Sequence, residues 1–314
     1  MPKAARTILV TCAFLLIFGI VLTSIGAAFG GARLMNVFWS NGWHISNYSE
    51  DYSYSFDSYS ENWSGSFSRI NVSAEACELR FEEGREFSIS GRYDPNFWKL
   101  EYGTSGDQLD VSMTVRSHSM NINFGWFDNS NHCLLVITYP RGTDFTKVDI
   151  NADAAYINID KLTAEDLYIN LDAITFDANQ LEAEVFTITL NAGSVDIQSL
   201  EVSKAASIDM NAGDMNIHDA SVKDLDLNLD FGSFSYRGTL SGNNYIKQSA
   251  GSADFRLDQP ASDLDVNYKV SAGDFSFNNH SFAGLDSSGN TGSNSARVKL
   301  DVSVDFGSLT IKTQ

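Results

Sequence analysis

Four stretches decide the fold: TITLNAGSVDIQSL (Thr187–Leu200), SIDMNAGDMNIHDA (Ser207–Ala220), LNLDFGSFSYRGTL (Leu227–Leu240) and IKQSAGSADFRLDQ (Ile246–Gln259). Aligned on glycine, they place Gly193, Gly213, Gly232 and Gly251 at intervals of 20, 19 and 19 residues. The frame continues to Gly273 after 22 residues and to Gly307 after 34. Backwards, it extends to Ile174 and Asp153 in the glycine position, for eight copies in all. Within a copy the polarity alternates. Ile188, Leu190 and Ala192 share one side and Thr187, Thr189 and Asn191 the other; beyond Gly193, Val195 and Ile197 point in while Ser194 and Asp196 point out. A period of two means strand, and the central glycine supplies a corner where a side chain is unwelcome.

A unit of this size cannot bury its own apolar side. Stacking on its neighbours does, and each strand then pairs with its counterpart in the next coil. The expected fold is therefore all-β, a single-stranded parallel β-solenoid of about 20 residues per coil, with strands about 4.8 Å apart. Two columns of like residues should result. One, two places before the glycine, reads Asn151, Asp172, Asn191, Asn211, Asp230, Ser249, Ser271 and Asp305 and suits a hydrogen-bonded ladder. The other, two places after it, reads Ala155, Phe176, Val195, Met215, Phe234, Ala253, Phe275 and Leu309 and should be core. The long last interval contains SFAGLDSSGNTGSNSAR (Ser281–Arg297), expected to be a solvated loop.

In front of the repeats, Ile70–Ser73, Cys77–Phe81, Phe87–Gly91, Leu109–Val115 and Cys133–Tyr139 read as strands outside the frame, an irregular opening that caps the solenoid edge. Thr7–Phe29 (TILVTCAFLLIFGIVLTSIGAAF) is uncharged and long enough to cross a hydrocarbon core of about 30 Å. An uncleaved signal anchor is expected there, with Lys3 and Arg6 inside and the bulk of the chain outside; sequence leaves cleavage open. The expected organisation is a signal anchor over 1–33, a Tyr/Ser-rich juxtamembrane spacer over 34–66, the irregular β part over 67–146, and the repeats over 147–314 with a loop insertion at about 281–297.

Of 314 residues only 19% are charged, and 23 Gly, 21 Phe and 12 Tyr stand beside 4 Pro, a β-rich composition. A net charge of −19 repels nucleic acid and anionic headgroups, which excludes a DNA- or RNA-binding role. His44, His118, His132, His218 and His280 are scattered without metal-ligand spacing. No nucleophile elbow, phosphate loop or dinucleotide fingerprint occurs. Asp196, Asp214, Asp254 and Asp274 lack the paired glycines of calcium-binding coils. No catalytic, cofactor-binding or metal residue is therefore assigned, and no cofactor is expected. Cys12 lies in the apolar segment, and whether Cys77 and Cys133 pair is left open, because bridging needs a Cα separation that sequence does not give.

QLDVS (Gln108–Ser112), LLVITYP (Leu134–Pro140), VDINADA (Val148–Ala154) and the repeated NAG-S/D-x-x-I units resemble a known bacterial family, the domain of unknown function 4097, also called the putative adhesin family. The resemblance runs from about Phe67 to Gln314. It implies a membrane-anchored protein of the bacterial cell envelope, in some members linked to envelope stress, and brings no catalytic residues. The expected function is a non-catalytic extracytoplasmic binding or scaffold module, single-pass in the cell membrane through its own N-terminal helix, with an envelope protein or cell-wall glycan as partner. The alternative is a polysaccharide-active β-helix enzyme on cell-wall glycan. That alternative requires Asp clustered with Lys or Arg on one exposed sheet, whereas Lys204, Lys223, Arg237, Lys247, Arg256 and Lys269 read as spread over different coils.

Overall fold

The computed structural model describes residues 36–39, 43–46, 55–116, 122–123 and 132–314, except 279, 284, 285 and 294. The chain divides into two units, residues 1–55 with 116–132, and residues 56–115 with 133–314. In the first, Trp43–Ser46, Asn36–Trp39 and Ile122–Asn123 form a small antiparallel sheet. The second is one continuous sheet wound into stacked coils, and its register corrects the expected fold in several respects.

The repeats do stack in parallel. Tyr156–Asp172, Ile174–Leu190 and Gly193–Met210 are long strands, each running round its coil from one glycine-position corner to the next. Pairing between neighbouring coils falls into three stretches, such as Tyr156–Ile159, Lys161–Ala164 and Asp166–Leu171 against the following coil. Ten coils are built in this way, two more than the sequence frame supplies. Numbered by their order in the stack, coil 1 is Gln108–Val115 with Leu134–Pro140, and coil 2 is Arg69–Glu75 with Glu78–Gly84. Coils 3 to 8 follow in chain order from Asp144 to Leu257. Coil 9 is Val298–Val304 with Ser308–Thr313, and coil 10 is Leu264–Val270 with Asp274–Phe277. Chain order and stacking order thus differ at both ends. Coil 2 precedes coil 1 in the chain and sits between coils 1 and 3; the last segment of the chain is coil 9, slotted between coils 8 and 10.

The sheet is mixed, so the expectation of a purely parallel solenoid does not hold. Trp98–Ser105 lies antiparallel on coil 1, as does Phe87–Tyr93, which in turn carries Asp57–Trp63. At the other end Ser287–Gly292 and His280–Ala283 lie antiparallel on coil 10. Reversed strands over both terminal coils cover edges that would otherwise invite pairing with another chain. The tract Ser281–Arg297, expected to be solvated loop, therefore supplies edge strands. Likewise Asp57–Trp63, within the expected spacer, is a strand of the main sheet. The expected membrane helix, Thr7–Phe29, lies outside the described residues. Among the described residues no helix is long and apolar enough to cross a membrane, and a short 3-10 turn at Ala261–Asp263 is the helical element present.

The core is the inward face of every coil. The column two places after the corner reads Leu135, Leu79, Ile157, Phe176, Val195, Met215, Phe234, Ala253, Leu309 and Phe275, all buried. Each large member contributes about 1.5–3 kcal/mol by leaving water. The expected Ala155 is displaced from this column. Ile157 pairs with Phe176, and Thr175 N donates to Ala155 O, so Ala155 and not Asp153 holds the corner of coil 3. Matching NADA to NAGS by residue identity had shifted that copy by two.

Corners come in two kinds. In coils 2, 3 and 4 the residue before the corner turns left-handed: Ala76, Ala154 and Ala173 have φ of 49°, 48° and 53°. From coil 5 to coil 9 the corner is glycine, and Gly193, Gly213, Gly232, Gly251 and Gly307 have φ between 106° and 127°. A Cβ on Gly213 or Gly232 would sit under 3.0 Å from the carbonyl oxygen of the glycine in the coil before it. Both the dihedral and the contact therefore demand glycine.

Two polar side chains are buried where coil 9 enters. Asn244 Nδ2 donates to Lys299 O at 3.1 Å, and Gln248 Nε2 donates to Gly251 O at 2.7 Å and Ser308 O at 3.2 Å. Both belong to coil 8, and each reaches the backbone of the coil that enters out of order.

The corner geometry predicts that Gly232→Ala destabilises the chain by about 2–4 kcal/mol, from left-handed strain and overpacking together. Gly103→Ala, where a Cβ meets nothing within 4 Å, should change stability by less than about 0.5 kcal/mol. Chemical denaturation of the two variants beside the parent chain measures the difference.

Candidate functional site

Because every coil adds its side chains in register, outward positions also form columns, and charge sorts along them. Two places before the corner run Glu75, Asp153, Asp172, Asn191, Asn211, Asp230, Ser249, Asp305 and Ser271, with Asp153 in place of the expected Asn151. The ladder is hydrogen-bonded: Asn191 donates to Asp172 and Asn211 to Asn191. Ser249 Oγ donates to Asp230 Oδ1 at 3.0 Å, and Ser271 Oγ to Asp305 Oδ1 at 3.1 Å. Amides and hydroxyls donate where carboxylates accept. Glu75, Asp153 and Asp172 have no such donor between them. Partial loss of hydration, then the charges of Asp172 and Glu75, push the Asp153 carboxyl up from its ordinary 3.8.

Five places after the corner, the column changes sign. It reads Asp160, Asn179, Gln198, His218, Arg237, Arg256, Lys312 and Asn278 along coils 3 to 10. Arg237 pairs in register with Arg256, and Arg256 with Lys312. Three cations therefore stand on consecutive coils, about 4.8 Å from one to the next, on a chain whose net charge is −19. His218 flanks them and shares Asp196 at 3.0 Å. Arg256 Nε contacts Asp254 at 3.2 Å and Arg237 Nε reaches Asp258 at 4.0 Å, yet the arginine side chains stay 67% and 66% exposed. Pairs this exposed contribute at most about 1 kcal/mol and exchange readily with another anion. An open depression lined by Ala261, Asn278, Lys312, Thr313 and Gln314 lies at the Lys312 end. The arrangement can hold a row of anionic groups on an extended ligand.

The other singled-out residues do not converge. Asp196 accepts from Gln198 and His218, Asp214 from Ser233, Asp254 meets Arg256, and Asp274 accepts from Ser281 Oγ at 2.7 Å. Among the described residues no three of His, Cys, Asp and Glu are grouped to hold a metal. The side chains of His44 and His118 lie outside the description, and His218 and His280 stand on different strands. Sequence reading missed the cationic column by treating Arg237 and Arg256 as scattered. Their 19-residue separation was the available signal, since it equals the interval from Gly232 to Gly251.

A family model described as Toastrack DUF4097 matches residues 67–312. Among solved structures, a "putative adhesin" from Bacteroides fragilis NCTC 9343 is 10% identical, covering 83% of this chain and 98% of its own, with a TM-score of 0.40. A "putative cell adhesion protein" from Clostridium sporogenes ATCC 15579 is 12% identical, covering 83% of this chain and 100% of its own, with a TM-score of 0.25. A "Putative lipid binding protein" from Parabacteroides distasonis ATCC 8503 is 11% identical over 81% of this chain and 96% of its own, with a TM-score of 0.31. No curated protein matches the chain.

The acidic end of the ladder yields a pH prediction. A carboxyl whose folded pKa is raised binds its proton more tightly in the folded state. Stability therefore falls as pH rises from 3.8 through the raised value, and the penalty persists above it. Asp153→Asn removes that penalty and adds a donor, so the variant should be more stable than the parent at pH 7. The gain should stay below about 1 kcal/mol because the site is solvated, and it should vanish below the ordinary carboxylate range. Denaturation midpoints measured across pH provide the check.

Proposed function

The chain belongs to the Toastrack DUF4097 family, and from that premise we propose that it is a non-catalytic binding or scaffold module of the cell envelope, acting outside the cytoplasm on an anionic cell-wall glycan. The observation that carries this reading is the column Arg237–Arg256–Lys312: cations in register on consecutive coils of an otherwise acidic chain. An extended polymer bearing carboxylate or phosphate groups presents charge at intervals along its length, and a solenoid face presents it in the same way. The acidic remainder of the surface disfavours nucleic acid and confines the contact to one strip.

One observation favours the enzymatic alternative. Asp254 and Asp258 stand beside the arginines, which is the carboxylate-with-cation arrangement that glycan cleavage requires. Binding is the better-supported reading because these groups lie on an open, solvated face. Catalytic carboxylates gain their effect in preorganised sites from which water is excluded.

The test is retention of the purified chain on isolated cell-wall glycan. Replacing Arg237, Arg256 and Lys312 together by Ser should weaken retention at least about tenfold and flatten its salt dependence, with the melting temperature unchanged. Equal retention by parent and variant would refute the site. Release of new reducing ends by the parent chain, lost in Asp254→Asn with Asp258→Asn, would establish the enzyme instead.

A further inference from the structure

Corner positions are occupied by Ala, Ile or Gly in coils 3 to 10 and by cysteine in coils 1 and 2. Glu78 pairs with Leu134, so Cys77 and Cys133, each one residue earlier, face each other across adjacent coils. Glu78 N donates to Cys133 O at 2.9 Å, which fixes the two corners together. Both thiols are free and buried, 1% and 2% exposed. Adjacent coils place Cα atoms about 4.8 Å apart, inside the range of roughly 4.4–6.8 Å that disulfides span.

We propose that Cys77 and Cys133 form a cross-link site, joined as a disulfide when the chain folds in an oxidising compartment. The reaction takes two thiols and one small disulfide oxidant of the glutathione class. The oxidant's S–S bond breaks as the Cys77 Sγ–Cys133 Sγ bond forms. Two electrons pass to the oxidant, and the two thiol protons end on its two released thiols. The inference goes beyond the ligand-binding reading and needs only its extracytoplasmic placement.

The position of the pair gives the bond a purpose. Coil 1 is docked out of chain order, and Cys133 directly precedes its second strand, Leu134–Pro140. Beyond coil 1 the sheet continues, among the described residues, only in the reversed strands Trp98–Ser105, Phe87–Tyr93 and Asp57–Trp63, and such an end of a stacked array opens before its middle. A bond from Cys133 to Cys77 ties the terminal coil to coil 2 at the point where stacking order departs from chain order. Tyr59, on the outermost strand, covers the site: its hydroxyl donates to Leu134 O at 3.2 Å, and its ring stands edge-on to Tyr93 with centroids 5.5 Å apart. Burial pushes the Cys133 thiol well above its ordinary range, so exchange takes place while the outer strands are open, and the closed protein then resists reduction.

The full chain, denatured and refolded with glutathione disulfide or with a phosphine reductant, provides the test. Refolding with the oxidant should give a linked Cys77–Cys133 peptide by mass spectrometry, and the thiols alkylated after denaturation should drop from three to one, since the chain has 3 cysteines. The melting temperature should rise by about 5 °C or more over the reduced chain. Cys133→Ser, nearly isosteric, should abolish the link and melt with the reduced parent. Separate alkylation of Cys77 and Cys133 after oxidative refolding would overturn the proposal. So would a link formed without any change in melting.

Discussion

Backbone laid on backbone at one corner of every coil is the contact on which the rest of the structure depends. At Gly213 and Gly232 the chain passes so close to the preceding corner that a single Cβ has no room. That closeness fixes the length of a coil, because every circuit must return to the same corner. It also fixes register: once corners coincide, each residue lies over its counterpart, and a one-residue slip would turn the apolar face outward. Where glycine is absent, in coils 2 to 4, Ala76, Ala154 and Ala173 take up the left-handed turn one residue earlier. The constraint is met there by a different local device.

Register then decides the chemistry. Columns arise whether or not they are favourable, so stacked carboxylates at Glu75, Asp153 and Asp172 cost stability, whereas Asn191 and Asn211 gain a ladder bond from the same geometry. The cations at Arg237, Arg256 and Lys312 become a row for the same reason. Lys312 joins that row only because the last segment of the chain enters between coils 8 and 10. The out-of-order entry is accompanied by Asn244 and Gln248, buried polar groups that reach across to backbone at Lys299 and Ser308. A buried amide needs its partner, so these two side chains favour one register at the seam over its neighbours.

Much of this was legible in the sequence, and the gaps have physical causes. The glycine frame and the alternation of Ile188, Leu190, Val195 and Ile197 gave coil length, strand type and inward face, since both follow from local sterics and burial. The family was legible from the strands flanking the repeats. Stacking order was not, because coil 9 carries the same signature wherever it inserts; nothing local in Val298–Thr313 distinguishes entry between two coils from addition at the end. Reversed strands were missed for a related reason. Ser287–Gly292 is a strand without an apolar face, held by backbone pairing to Leu264–Val270, and polarity alternation cannot reveal such an edge. The cationic column was hidden because charge was read along the chain instead of through the 19-residue interval.

The central claim is that identical positions of neighbouring coils stand in register in a stacking order different from the chain order. Lys247, Ser303 and Lys269 are outward-facing at one such position, with Ser303 paired to both of the others. The most direct measurement is cross-linking by a short bifunctional thiol reagent of chains carrying two introduced cysteines, with the native cysteines replaced by serine. Lys247→Cys with Ser303→Cys should link efficiently, and Lys247→Cys with Lys269→Cys, two coils apart, should not. Efficient linking of 247 to 269 together with failure of 247 to 303 would mean that the coils stack in chain order, and the account would be wrong.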